Sequence, residues 1–159
     1  MDLCPAPPHS IDSHLRSPFT DAISHILASH HCNTLRFHLL IRPSRPDLDS
    51  WLPTLTLKGL QELVLALKGL PRSFHACHSL TAVDLTNCRL PEDATPSSAV
   101  SFPHLANLTL RYAYVSSLTL HRQLAACPML VSLSLDRIFG CRSLCVCSQS
   151  LRSLTCLSR

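Results

Sequence analysis

The segment from Leu80 to Leu90, LTAVDLTNCRL, places apolar side chains at Leu80, Val83, Leu85 and Leu90, with Cys88 between the last two. The same spacing returns at Leu60, Leu63 and Leu65, at Leu105, Leu108 and Leu110, and at Leu130, Leu133 and Leu135. In each copy the last two apolar residues are two apart, the period of a strand with one buried face, and the first turns the chain into that strand. A lone strand of this kind has nothing to bury its apolar side against. It needs the next copy stacked beside it, so the expected product is a parallel sheet that grows by one strand per copy.

The pattern LxxLxLxx(N/C)xL is the leucine-rich repeat signature. The expected fold is therefore an α/β leucine-rich repeat solenoid of about six or seven short parallel strands, with helices or turns on the convex side, and as written a partial domain. Residues 1–19 hold Pro5, Pro7, Pro8 and Pro18 and read as a disordered leader, leaving 20–159 as the repeat domain, irregular at both ends. From Thr20, a candidate N-cap, a helix is expected with Ile23, Ile26 and Leu27 on its buried face, followed by a divergent first strand alternating Leu35, Phe37 and Leu39 with Arg36 and His38. Asp47 or Asp49 is expected to cap a second helix carrying Trp51, Leu52 and Leu55, which Gly59 ends, with Pro53 fitting only in its first turn. Pro71 opens a short helical turn, residues 91–104 form an ascending loop, and Ser116 or Ser117 caps a helix carrying Leu118, Leu124 and Ala125. Cys141, Leu144 and Val146, then Leu151, Leu154 and Cys156, predict two strands so close together that only turns fit between them. The last of these stands almost at Arg159, which leads to the expectation that further chain or a partner covers it.

Composition narrows the function classes. The 159 residues carry a formal net charge of +4, spread rather than gathered into a stripe, so no nucleic-acid partner is expected. The start, MDLCPAPPHSIDSH, lacks a basic end followed by an apolar run, and no stretch of about 18 apolar residues occurs, so no membrane association is expected. Nine cysteines without clustered spacing fit reduced thiols in a cytoplasmic or nuclear protein.

Beyond the repeat signature, several segments carry a closer likeness: AISHILASH (Ala22–His30), WLPTLTLKGLQELVL (Trp51–Leu65), FHACHSLTAVDLTNCRL (Phe74–Leu90), FPHLANLTL (Phe102–Leu110), LAACPMLVSLSL (Leu124–Leu135) and SLCVCSQSLRSL (Ser143–Leu154). In this order they resemble the repeat region of plant F-box/LRR proteins, especially the grass group that often carries a C-terminal FBD domain. The resemblance implies recognition of a target protein, with an F-box docking the adaptor of a cullin-type ubiquitin ligase. No F-box is recognisable before Ala22 and no FBD within the 159 residues, so the ubiquitin ligase adaptor is an expected partner only if an F-box is supplied upstream. The alternative is a free-standing or degenerate truncated repeat protein with no ubiquitin ligase role.

Candidate chemistry is sparse. Cys145 and Cys147 alternate with Leu144 and Val146 on one expected strand, whereas zinc sites usually curl a turn around the ion, so exposed thiols are expected rather than a metal site. His25, His30, His31, His75 and His78 lack the spacing that puts two imidazoles on one helical face. Gly59, Gly69 and Gly140 supply neither a nucleophile elbow nor a phosphate cradle, so no enzyme activity and no cofactor are expected. What remains is the sheet's open face. The residue between the two strand leucines must point away from the core, which singles out Val64, Asp84, Thr109, Ser134, Cys145 and Thr155, flanked by Gln61, Glu62, Asn107, Arg142 and Arg152. Their small size either leaves the face open to a target protein or merely reflects crowding between strands.

Overall fold

The computed structural model describes residues 18–92, 101–144, 146 and 148–157. Most of the leader, the central part of the 91–104 loop, Cys145 and Cys147 lie outside these residues. Six parallel strands follow one another in sequence order: β1 (Arg36–Leu39), β2 (Glu62–Ala66), β3 (Ala82–Thr86), β4 (Asn107–Arg111), β5 (Ser132–Asp136) and β6 (Ser153–Leu157). The register never slips. Phe37, Leu63, Val83, Leu108, Leu133 and Leu154 are consecutive partners across the whole sheet.

Among the described residues three helices pack behind the strands: α1 (Pro18–Ser29), α2 (Arg45–Leu57) and α3 (Ser117–Ala125), with a 3-10 turn at Arg72–Ala76. The core lies between the two layers. Leu60, Leu63, Leu80, Leu105, Leu130 and Leu133 are fully shielded from water, and Phe74 meets Phe102 edge-to-face at 5.3 Å between ring centres.

Several sequence expectations change in detail. The strand expected over Cys141–Val146 is absent among its described residues, and the sheet has six strands. β6 pairs directly with β5, so the segment between them is the return path of one repeat, and the spacing from Leu133 to Leu154 matches the earlier repeats. The physical reason is room: a parallel connection has to travel back along the strand before the next can begin.

In α1 the inward residues are Thr20 and Leu27, with Ile23 partly buried, whereas Ile26 is 54% exposed. In α3 the inward residues are Thr119, Leu120 and Leu124, whereas Leu118 is 56% exposed. The cap of α2 is Ser44, neither Asp47 nor Asp49. Ser44 Oγ accepts from the Asp47 backbone N–H at 3.3 Å, and Pro46 sits in the first turn, where its missing N–H costs nothing. Asp49 is used elsewhere, accepting from Ser73 N–H at 2.8 Å and Ser73 Oγ at 2.7 Å. Burial pushes the Asp49 carboxyl upward, but these bonds and the nearby Arg72 outweigh it and hold it below the ordinary value. Pro53 lies inside α2 rather than in its first turn, on the solvent side, where water reaches the backbone it leaves unpaired.

Gly59 ends α2 as expected. At φ +78° its N–H donates to Thr56 O (3.0 Å) and the Leu60 N–H donates to Leu55 O (3.1 Å), which together close the last turn. Space is open around a Cβ there, so the cost of a side chain is conformational alone. Gly59→Ala is expected to cost about 1 kcal/mol, read as a small shift of the urea midpoint at unchanged slope.

Candidate functional site

Alternation along β2 to β5 sends the leucines into the core and every second residue onto the opposite face, whereas in β6, at the sheet edge, every residue is exposed, Leu154 included. Unbroken register turns that alternation into rows. The central row runs His38, Val64, Asp84, Thr109, Ser134, Thr155, and the row beside it runs Arg36, Glu62, Ala82, Asn107, Ser132, Ser153. Five of the expected central residues are therefore neighbours; Cys145, the sixth, lies outside the described residues. Glu62 and Asn107 join the adjacent row.

The remaining expected residues stand apart from these rows. Gln61 and Arg152 are just ahead of β2 and β6, where the Gln61 carbonyl accepts from Thr81 and Ala82, and the Arg152 N–H donates to Val131 O at 2.8 Å. Arg142 is not on the sheet at all. Its backbone N–H donates to Ser117 Oγ at 3.1 Å, which holds it at the start of α3, because the segment expected to form its strand is a return path.

The face is not uniformly small and neutral. Glu62 is held between two strand-β1 residues, with Arg36 Nε at 2.9 Å and His38 Nε2 at 2.8 Å. On the central strands Arg111 Nη2 lies 3.3 Å from Asp84 Oδ2, while Asp84 Oδ1 is buried with no hydrogen-bond partner among the described residues. Burial pushes the Asp84 carboxyl above its ordinary value, and the attraction of Arg111 and, less, His38 does not fully offset it. Arg111 keeps much of its water, which weakens its pull.

The sign of the pH effect follows. A carboxyl raised in the folded state holds its proton to higher pH than in the unfolded chain, so stability falls as pH rises through the folded value. Asp84→Asn removes that titration. Stability at neutral pH is expected to hold or rise, and the decline from acid toward neutral pH to flatten, as measured by urea unfolding over that range.

The C-terminal margin of the sheet carries features that the hexad pattern did not flag. Asn87, Tyr112 and Arg137 occupy the same position, just after their strands, with φ of 57°, 51° and 52°. This left-handed conformation turns the chain, and each residue's N–H is taken by the carbonyl of Arg111, Asp136 or Leu157 on the next strand. Beyond the turn a second line of bridges joins Gly69, Arg89, Tyr114 and Phe139. Arg89 stacks 4.7 Å from the Tyr114 ring centre; Arg137 stacks 4.9 Å from that of Tyr112 and its Nη1 donates to the Tyr112 hydroxyl at 2.7 Å. The sequence signal was RYAYV: the chain's two tyrosines flank Ala113, which is fully buried, so both point outward.

Three of the described cysteines are packing groups. Cys77, Cys88 and Cys127 are buried, and burial pushes the Cys88 and Cys127 thiols up to about 11, so at neutral pH they are protonated packing groups. No group of three or more metal-ligating side chains occurs among the described residues. No helix among them is long and apolar enough to cross a membrane.

Comparison with known proteins adds a second line of information. The family described as FBD-associated F-box protein At5g56370, LRR repeats, matches residues 48–159. The Arabidopsis thaliana F-box/LRR-repeat protein At3g28410 is 33% identical over 99 residues, covering 57% of this chain and 21% of that protein. The Arabidopsis thaliana F-box/FBD/LRR-repeat protein At1g13570 is 34% identical over 96 residues, covering 58% of this chain and 22% of that protein. The chain thus spans about a fifth of the length of these curated relatives. No solved structure matches it.

Proposed function

This chain belongs to the plant FBD-associated F-box family, in its leucine-rich repeats, and from that premise we propose that it is the target-recognition part of a ubiquitin ligase receptor. It is a repeat module of the protein-interaction kind, and the recognition role is non-catalytic. The supporting observation is the open sheet face, where Asp84, Thr109, Ser134 and Thr155 stand side by side without a bulky side chain among them. A target surface can lie against such a row and reach four strands at once. In this reading an F-box elsewhere in the gene product docks the ligase adaptor, and the complex works in the cytoplasm or nucleus.

The test is affinity capture of the full gene product from plant cells in which the proteasome is inhibited. Thr109→Arg, placed in the middle of the face, is expected to lose the target while retaining the ligase adaptor. Failure of the unaltered product to capture the adaptor would sink the ligase role, and capture of an identical set of proteins by the Thr109→Arg variant would sink the sheet face as the binding surface.

A further inference from the structure

We propose that the C-terminal margin of the sheet is a docking ridge for an acidic, extended segment of the partner protein. The inference rests on the reading of this chain as a protein-binding module, and adds to it the chemistry of what is bound. The bridges between Gly69, Arg89, Tyr114 and Phe139 set these positions about 4.8 Å apart, one strand spacing, with outward side chains at Arg89, Tyr114 and Phe139 and the Arg45 guanidinium lying against Gly69. The line therefore covers about 14 Å, the reach of four or five extended residues.

Its charge is one-sided. Lys68, Arg89 and Arg137 have no carboxylate partner among the described residues, and neither have Arg42 and Arg45 at the near end. There Arg42, Arg45 and Lys68 border a cleft of about 570 Å³, and Gly69 lets the Arg45 guanidinium lie against the backbone. Of the acids in this neighbourhood, Asp84 is committed to Arg111 and Asp47 to the Ser44 hydroxyl at 2.5 Å, while Asp136 at the end of β5 and Glu92, three residues after Arg89, remain, fewer than the cations around them.

The aromatic rings decide between a diffuse field and a site. Stacked on Tyr114 and Tyr112, the Arg89 and Arg137 guanidinium planes are held in place, which lowers the entropy lost when they grip a carboxylate with two parallel bonds. Tyr112, Tyr114 and Phe139 remain 39%, 44% and 51% exposed, so they also offer apolar surface to the stems of glutamate side chains. An extended acidic peptide uses the spacing, the charge and the rings together.

The probe is a fluorescein-labelled twelve-residue oligoglutamate, followed by fluorescence anisotropy at rising sodium chloride. The chain is expected to bind it, with affinity falling as salt rises. The double variant Arg89→Gln/Arg137→Gln should lose at least about tenfold in affinity. Arg72→Gln/Arg122→Gln removes the same charge from the helical side and should bind as the unaltered chain does. Equal losses in the two variants, or no binding by the unaltered chain, would overturn the proposal. So would displacement by oligouridine at lower concentration than by unlabelled oligoglutamate, or by sodium triphosphate at equal concentration, each of which reassigns the ridge. Thr109→Arg should leave oligoglutamate binding intact. If oligoglutamate fails to bind while Thr109→Arg still abolishes target capture, the ridge fails and the sheet face stands.

Discussion

Replacing Leu110 with alanine is expected to lower stability by about 3 to 5 kcal/mol, a large share of the roughly 5 to 15 kcal/mol that a folded domain ordinarily has. Leu110 is 2% exposed and sits in β4 between its register partners Leu85 and Leu135, the inward residues of the neighbouring repeats. It also borders a small apolar void of about 30 Å³ shared with Phe74, Leu105 and Leu120. Removing its side chain enlarges that void, and the strands on either side cannot move in to fill it without breaking a ladder that continues through the whole sheet. Urea unfolding followed by far-UV circular dichroism measures the loss. Leu118→Ala is the control: that residue lies on the outer side of α3, and its removal is expected to change stability by no more than about 0.5 kcal/mol. A large effect at Leu118 together with a small one at Leu110 would contradict the described packing.

Trp51→Ala is the second large effect, expected to cost about 3 to 5 kcal/mol and to act first on the N-terminal end. Trp51 is the chain's single tryptophan and is 2% exposed. Its indole N–H donates to Ser24 Oγ at 2.8 Å, tying α2 to α1, and its ring meets Phe37 of β1 edge-on at 6.4 Å between centres. One side chain therefore joins two helices and the first strand. Alanine exposes more of Phe37, which is only partly buried to begin with, and removes the tie between the helices, so amide exchange in Arg36–Leu39 should accelerate far more than in Ser132–Asp136. Trp51→Phe separates the contributions: it keeps most of the apolar contact and loses the indole bond, for about 1 kcal/mol. Uniform acceleration across all six strands would instead show that the repeats open as one unit.

The leucine hexads made the sheet legible, because a two-residue period with one buried face has a single solution once the copies stack. The helices were harder to read. Ile26 and Leu118 lie on short segments with more apolar residues than one face can bury, and the neighbour decides which are chosen: Trp51 needs the Ser24 hydroxyl, so α1 turns Ser24 and Leu27 inward and Ile26 outward. The false strand at Cys141, Leu144 and Val146 had the correct spacing but lacked the length of chain that a parallel return requires. Of the candidate surface, the row from Val64 to Thr155 followed from alternation alone. The stacked pairs Arg89 with Tyr114 and Arg137 with Tyr112 did not, since they form between residues 25 apart in sequence and only the sheet register brings them together.

That constant register has an evolutionary consequence. The connections between strands differ in length and content, from a 3-10 turn to a full helix, yet Val64, Asp84, Thr109, Ser134 and Thr155 remain directly opposite one another. Insertions and deletions in the connections behind the sheet are therefore decoupled from the composition of its open face. With the sheet face as the proposed target-binding surface, a gene family built on this plan can exchange single letters of that face, one strand at a time, while its loops drift in length without moving any letter out of line.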